Sequence, residues 1–244
     1  MGATLITSNA VTIDDLIDID LPEKTNSYVP VSHVDFINNT KDIADRMLGE
    51  YSLHSEKYGI ARDGKQMFGT LTYKESFHND DQELGLSIGL RNSYDKSMSL
   101  GLCSGGSVFV CENLMMTGEV TVMRMHRGNI LDELKGLIFK ALLGAEEKFQ
   151  TIHADTQMLK EVSIEDADAY SAMGKLYGYG IITETQIPVM KREWLKPSHD
   201  AFDDRTAWSL YNAGTEALKT THPQHRMKRQ IQMHKMFTKT NRMN

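Results

Sequence analysis

Alternating apolar and small residues mark the most regular stretch of the chain, at 84–91. Leucine and isoleucine occupy every second position, and glycine, serine and arginine occupy the positions between them. A period of two predicts a half-buried β-strand. The second face carries small residues, which let another group approach a sheet closely. We therefore expect either a packed helix or a ligand backbone against this face.

Two glycine-containing dipeptides predict hairpins. Asp63-Gly64 lies between two alternating runs, at 52–61 and 65–75, and Asp-Gly is a strong signal for a two-residue turn. Gly105-Gly106 separates two further apolar runs and predicts a turn on the same grounds. The strand patterns together predict an antiparallel sheet with hairpins around 63–64 and 105–106.

Apolar residues spaced three and four apart predict helices. The longest covers about 129–150, with Asn129 as a suitable N-cap, and a shorter one starts at Asn39 or Thr40. Further helical patterns lie at about 155–177 and 204–219. Strands followed by collected helices indicate an α+β fold. We expect the antiparallel sheet to pack against the long helix at 129–150, with additional helices towards the C-terminus.

Charge is distributed unevenly along the 244 residues, whose net charge is −6. Residues 217–244 contain lysine, arginine and histidine but no acid, whereas aspartates interleave with apolar residues between Ile13 and Leu21. We infer an acidic N-terminal extension at 1–27, a single α+β domain at 28–218 and a basic C-terminal tail at 219–244.

Several classes of protein are not expected. No run approaches the roughly 18 apolar residues of a membrane span, and no basic and apolar leader is present, so we expect a cytoplasmic protein. The glycines form no phosphate-binding loop, and His222 and His225 lack the partners of a zinc site, so no cofactor and no metal are expected. Ser93, Asp95 and His126 are the residue types of a hydrolase triad, and Cys111 is another candidate nucleophile, but no spacing requires either. We expect a protein that is not an enzyme.

The segment 91–97 concentrates charged and hydrogen-bonding side chains between two predicted strands. Arg91 and Lys96 supply cations that can hold phosphate, and Tyr94 supplies a ring that can stack on a base. Asn92 adds an amide. The alternative is an ordinary turn, in which Asn92, Ser93 and Asp95 cap local backbone amides.

Further cations lie at the end of the last predicted strand, just before the long helix, and in the basic tail. Together with the segment 91–97 they can line a groove for a single strand, and the tail adds a phosphate attraction that weakens with salt. The candidate nucleic-acid-binding residues are Arg91, Asn92, Tyr94, Lys96, Arg124, His126, Arg127, Lys228 and Arg229. Other rings that could stack on bases are Phe68, Tyr73 and Phe109.

Three segments resemble motifs of a family of uncharacterised phage- and plasmid-like proteins. Residues 92–97 (NSYDKS) are similar to its NSHDGS loop, 110–114 (VCENL) to its VVCxNTL segment, and 206–216 (TAWSLYNAGTE) to its TAWGLYNAVTE helix. The resemblance covers roughly 30–220. Tyr94 and Lys96 replace the family's histidine and glycine, so an activity that depends on that histidine is not implied here. The order of strands and helices is also similar to that of ring-forming, ATP-independent single-strand annealing proteins, which is an analogy of fold.

The resemblance and the cations together suggest a phage or mobile-element protein that binds and anneals single-stranded DNA as a homo-oligomer. An alternative is a non-enzymatic protein that sequesters a host component, such as part of a defence system, because acidic and apolar peptides like Ile13–Leu21 can add to a partner's groove or sheet edge.

Overall fold

The computed structural model describes residues 10–76, 83–108, 113–115 and 122–241. Within these ranges it describes the side chains except at 113–115, 122–124, 223–224 and 240–241. The strands are β1 (Ala10–Val11), β2 (Tyr51–Ala61), β3 (Gln66–Glu75), β4 (Leu84–Ser93), β5 (Leu100–Val108), β6 (Asn113–Met115) and β7 (Val122–Arg124). The α-helices are α1 (Ile13–Ile17), α2 (His33–Met47), α3 (Ile130–Leu142), α4 (Ala145–Glu161), α5 (Asp166–Gly178), α6 (Ile187–Leu195), α7 (Ala207–Leu218) and α8 (Pro223–Asn241).

The described strands form one antiparallel sheet in the order β1-β2-β3-β4-β5-β6, and β7 also pairs with β5. The α+β fold predicted from the sequence is therefore confirmed. The hairpin at Asp63-Gly64 is confirmed as well, because Ala61 pairs with Gln66 and the residues between them adopt positive φ angles at Arg62, Asp63 and Gly64.

The hairpin predicted at Gly105-Gly106 is wrong. Strand β5 runs straight through both residues, with Gly105 opposite Ser87 and Gly106 opposite Leu86. A Cβ atom added at Gly106 would lie 3.1 Å from Cγ2 of Ile152 on α4. Glycine inside a strand often marks such a close approach, so Gly106 serves helix packing in place of a turn.

The predicted helix at 129–150 is present and continues to Glu161 as α3 and α4. The two helices are separated at Leu143 and Gly144, where Gly144 has a φ of +79°. Their apolar side chains pack against the leucine-bearing face of β4 and β5. The shared cluster of buried residues includes Leu86, Ile88, Leu102, Leu134, Ile138 and Ile152.

The opposite, small-residue face of the sheet receives the C-terminal helix α8. A second buried cluster lies here. It contains Phe68 and Cys103 of this face, Met98 of the loop between β4 and β5, and Met227 and Ile231 of α8. The sequence predicted either a packed helix or a ligand backbone against this face, and the structure shows a packed helix.

The segment boundaries inferred at 27/28 and 218/219 do not coincide with breaks in packing. Leu16 of α1 is 1% exposed, and Phe237 of α8 is 5% exposed, and both belong to the same buried cluster as the sheet. Within the inferred basic tail, α8 thus forms a helix with one face in the core. Among the helices of the described residues, none combines the length and the apolar character that crossing a bilayer requires.

Candidate nucleic-acid interface

Asn92 lies at the centre of a buried hydrogen-bond network. Its side-chain Nδ2 donates to the carbonyl oxygen of Val31 at 2.7 Å and to Nδ1 of His33 at 3.0 Å. Because Nδ1 of His33 accepts, Nε2 carries the proton and donates to the carbonyl oxygen of Gly64 at 3.0 Å. The amide of Asn92 therefore holds the start of α2 against the β2–β3 hairpin and does not face a ligand.

Tyr94 is buried in the same network. Its ring stacks on the ring of His33, and its hydroxyl oxygen accepts a hydrogen bond from the backbone N–H of His33 at 2.9 Å. Burial dominates over this bond and raises the pKa of Tyr94. The prediction that Tyr94 stacks on a base is therefore wrong for this conformation, because both its ring and its hydroxyl are already engaged within the protein.

The turn that follows is satisfied locally. The Asp95 carboxylate accepts from the backbone N–H of Ser97 at 3.0 Å and from the Arg62 guanidinium at 3.2 Å. Hydrogen bonds from Ser97 and the charge of Arg62 outweigh burial and lower the pKa of Asp95. The side chains of Asn92, Ser93 and Asp95 thus accept hydrogen bonds from nearby backbone amides, as in the ordinary turn that the sequence offered as an alternative.

Lys96 stands out from this turn. It is exposed, its ammonium lies 4.8 Å from the centre of the Tyr28 ring, and its backbone φ is +63°. A φ in this range favours glycine. Lys96 therefore carries a cation on a backbone suited to glycine.

Arg91 lies on the small-residue face of the sheet, opposite Gly101. Its side chain lies across Gly101, where an added Cβ would be 2.8 Å from Nε of Arg91. That Nε is buried and makes no hydrogen bond, and burial lowers the pKa of Arg91. Helices α3 and α4 pack against the opposite face, where core side chains fill the space between the helices and the sheet.

Three predicted residues do come together, at the edge of the sheet. Lys96, His126 and Arg127 line a cavity of about 220 Å³, with Tyr28 in its wall. His126 is 5% exposed and its ring is 5.5 Å from that of Tyr28. Burial lowers the pKa of His126, partly offset by the backbone of Val29.

Two further predicted cations, Lys228 and Arg229, lie on α8. Lys228 is exposed, and Arg229 is half-buried. They belong to a helix whose other face is buried, so its exposed residues form a regular set with the spacing i, i+3, i+7, i+10 and i+14. We call this set the basic stripe: His225, Lys228, Gln232, Lys235 and Lys239. From Lys228 to Lys239 it extends about 16 Å along the helix axis.

Some predicted residues have other places in the fold. Phe68 and Tyr73 are 3% and 0% exposed and belong to buried clusters, so neither ring is a stacking surface. The side chain of Arg124 and all of Phe109 and Cys111 lie outside the described residues.

The structure also shows the surroundings of Ser93 and the arrangement of potential metal ligands. Ser93 is 0% exposed, and its Oγ donates to the carbonyl oxygen of Met98 at 2.8 Å, so it is held as a turn residue and not presented as a nucleophile. Within the described ranges, no group of three or more histidine, cysteine or acidic side chains is arranged to hold a metal ion.

The sequence did not predict the contacts of Tyr28 and His33 with the 91–97 loop, nor the basic stripe. Tyr28 and His33 precede the loop by about 60 residues, and no local pattern connects them to it. The basic stripe did have a signal, because lysines at 228, 235 and 239 share a helical face, but the absence of acids in this segment suggested a tail.

The chain belongs to a family described as a domain of unknown function (DUF932), which matches residues 21–242. The match includes the cavity, the loop at 91–97 and the whole of α8. The chain matches none of the curated proteins and none of the solved structures with which it was compared.

Proposed function

We propose that the protein binds single-stranded nucleic acid, with the basic stripe of α8 as its principal contact surface. The observation that carries this proposal is the arrangement of Lys228, Lys235 and Lys239 on one exposed helical face, with no acid anywhere in α8. Lysines in a row along a rigid element can neutralise successive phosphates of one strand.

The negative charge of the whole protein does not prevent this. At physiological ionic strength, charges more than about 8 Å apart in solvent are largely screened. A strand lying on α8 therefore interacts mainly with the lysines beneath it, while the acidic remainder of the protein opposes long-range approach.

The cavity at Lys96 and Arg127 continues the same surface. Met98 lines that cavity and also packs with Met227 of α8, so the loop carrying Lys96 sits beside the N-terminal half of α8. A strand that leaves the basic stripe near Lys228 can continue towards Lys96.

We further propose that the protein anneals complementary strands as a homo-oligomer. It would do so without ATP and without catalysis, in a phage or mobile element. This proposal is supported by the resemblance of the loop and helix motifs to phage- and plasmid-like proteins and by the likeness in element order to single-strand annealing proteins.

The test is a fluorescence-anisotropy titration of a labelled single-stranded oligonucleotide at several salt concentrations. Each lysine that contacts a phosphate contributes about 0.7 to the slope of log K against log salt for a single strand. Replacing Lys228, Lys235 and Lys239 by glutamine should lower the slope by about two.

The matched control replaces three exposed lysines elsewhere, Lys135, Lys140 and Lys196, by glutamine, which changes the net charge by the same amount. An equal loss in the control would show that net charge alone matters, and the absence of salt-sensitive binding at micromolar protein would refute the proposal. Strand annealing is then measured with two complementary labelled oligonucleotides.

The alternative, sequestration of a host protein, draws support from Ile17 and Leu21, which are 62% and 50% exposed beside several aspartates. Within that segment Leu16 is buried, and Ile13 and Ile19 are half-buried. A double replacement of Ile17 and Leu21 by serine spares Leu16 and should abolish capture of a stoichiometric host protein if this alternative holds. Unchanged capture would exclude the segment as the docking site.

A further inference from the structure

A pocket of about 310 Å³ opens between α5 and the C-terminal half of α8, and we call it the α5–α8 pocket. Its apolar lining lies deeper than its polar lining. Leu210 and Phe237 are buried, and Ala172 and Met236 are half-buried. The polar lining residues are all exposed and form the rim: Ser163, Asp168, Ser171 and Lys175.

The pocket lies beside the basic stripe. Side chains three and four positions apart are neighbours on the surface of a helix. Met236 in the pocket wall therefore neighbours two members of the stripe, Gln232 and Lys239. The Cβ atoms of such neighbours are about 5–6 Å apart. A group bound in the pocket and a phosphate bound by Lys239 can thus belong to one nucleotide.

The lining of the pocket has the two properties that an unpaired nucleobase needs. For the faces of the base, Phe237 supplies an aromatic ring and Met236 a polarisable thioether. For its edge, the Asp168 carboxylate accepts hydrogen bonds, and Ser171 and Lys175 donate them. The apolar side chain of a protein partner has no polar edge to match this rim.

A base-contacting surface is otherwise missing from the proposed function. The basic stripe contacts phosphates, and the rings of Phe68, Tyr73 and Tyr94, which the sequence suggested for stacking, are buried. Small-molecule sites span about 300–1,000 Å³, and the α5–α8 pocket lies at the lower end of that range. A pocket of this size suits a single ring system.

We propose that the α5–α8 pocket takes up one unpaired base of a single strand whose phosphates lie on the basic stripe. The ring lies against Met236 and Phe237, and its edge meets the polar rim. The presence of the strand rests on the proposed function, whereas the affinity of the pocket for a base does not.

The first experiment therefore uses a nucleoside, which carries no phosphate. The full chain is labelled with ¹³C at the methionine methyl groups, and the Met236 signal is identified by its loss in Met236→Leu. Deoxycytidine should shift this signal in a saturable manner, whereas 2-deoxyribose should not. The signal of Met67, which is 0% exposed in the sheet, should stay in place.

A pocket-filling variant assigns the shift to this site. In Ala172→Leu the apparent Kd for deoxycytidine should rise at least about tenfold, because the base loses its stacking contact. The matched control is Ala167→Leu, at an exposed position of α5 that does not line the pocket. If Ala172→Leu does not fold, Ser171→Leu on the exposed rim replaces it. No shift of Met236, or an equal Kd in the filled variant, would overturn the proposal.

The second experiment compares two labelled strands with the same number of phosphates, one of deoxycytidine units and one of abasic sugar–phosphate units. By anisotropy, the base-bearing strand should bind at least about fivefold more tightly. This advantage should vanish in Ala172→Leu and persist in Ala167→Leu. Replacing Lys228, Lys235 and Lys239 by glutamine should weaken both strands to the same degree.

The outcomes separate the pocket from the proposed function. If both strands bind equally and depend on the three lysines, the proposed function stands and the base pocket is refuted. An advantage that persists in Ala172→Leu refutes the pocket as well. If neither strand binds but deoxycytidine still shifts Met236, the proposed function fails and the pocket remains a site for a nucleobase.

Discussion

The rings of Tyr94 and His33 lie face to face, with their centroids 3.8 Å apart and their planes within 4° of parallel. The backbone N–H of His33, in the first turn of α2, donates to the Tyr94 hydroxyl oxygen. This N–H has no partner within its helix, so the hydroxyl satisfies a group that would otherwise be buried without one. Tyr94 thereby joins the end of β4 to the start of α2.

Tyr94→Phe should therefore destabilise the protein by about 1 kcal/mol, because the ring stack survives while the buried N–H of His33 loses its acceptor. The free energy of unfolding is measured by urea denaturation. Tyr179→Phe, at a site that is 70% exposed, is the control and should change stability by less than about 0.5 kcal/mol. Equal effects of the two replacements would contradict the role assigned to the hydroxyl.

The free energy of unfolding should also decrease as the pH is lowered, because of His33. Burial lowers its pKa from 6.5 to about 4, despite the opposing hydrogen bond to Gly64. The unfolded chain then binds a proton at a pH where the folded protein does not. The stabilisation that comes from keeping His33 neutral is fully present above pH 6.5 and is lost as the pH falls towards 4.

Between pH 7.5 and pH 5 this single histidine should cost about 2 kcal/mol of unfolding free energy. The measurement is urea denaturation at both pH values for the native chain and for His33→Gln, in which the pH dependence should be smaller by that amount. The lowered pKa of His126 acts in the same direction and remains in the variant. An unchanged pH dependence in His33→Gln would show that His33 is protonated in the folded state.

Local chemistry explains what the sequence could predict. Asp63-Gly64 forms its turn from the backbone preferences of its own residues. Gly105-Gly106 has a similar composition, but its role is set by Ile152 on α4, which lies 46 residues further along the chain and is invisible to a local pattern. The same dipeptide chemistry thus predicted one position correctly and the other wrongly.

The candidate site divides in the same way. Lys96 was predicted from its place in a polar loop and does line the cavity. Asn92 and Tyr94 were predicted from the same loop, but His33 engages both, and its position depends on how α2 packs. Loop composition indicates which side chains can bind a ligand, and tertiary packing decides which of them remain available.

The backbone at Lys96 provides a test that separates conformation from charge. At a φ of +63°, glycine is unstrained and a β-branched residue is strongly disfavoured. Lys96→Gly should stay within about 0.5 kcal/mol of the native stability, since relief of strain offsets the greater flexibility of the unfolded chain. Lys96→Val should be less stable than Lys96→Gly by at least about 1 kcal/mol. Equal stability of the two variants in urea denaturation would mean that the loop adopts another backbone conformation in solution.

The middle of α8 is anchored by a buried hydrogen bond between His234 and Asp155. Nε2 of His234 lies 3.1 Å from Oδ2 of Asp155 on α4, and both side chains are at most 6% exposed. The ring of Tyr211 on α7 packs edge-on against His234, so the contact joins three helices. Removing one partner of such a hydrogen bond leaves the other polar group buried and unsatisfied.

Asp155→Ala should therefore cost about 2 kcal/mol of unfolding free energy and loosen α8 from the sheet. Hydrogen exchange of the α8 amides should accelerate more than that of the β3 and β4 amides, because α8 depends on this anchor whereas the central strands are held by their neighbours. Glu161→Ala, at an exposed position of the same helix, is the control and should change stability by less than about 0.5 kcal/mol. If α8 exchange were unaffected in Asp155→Ala, the packing of Met227 and Ile231 on the sheet would be sufficient to hold the helix, and the pair would be dispensable for presenting the basic stripe.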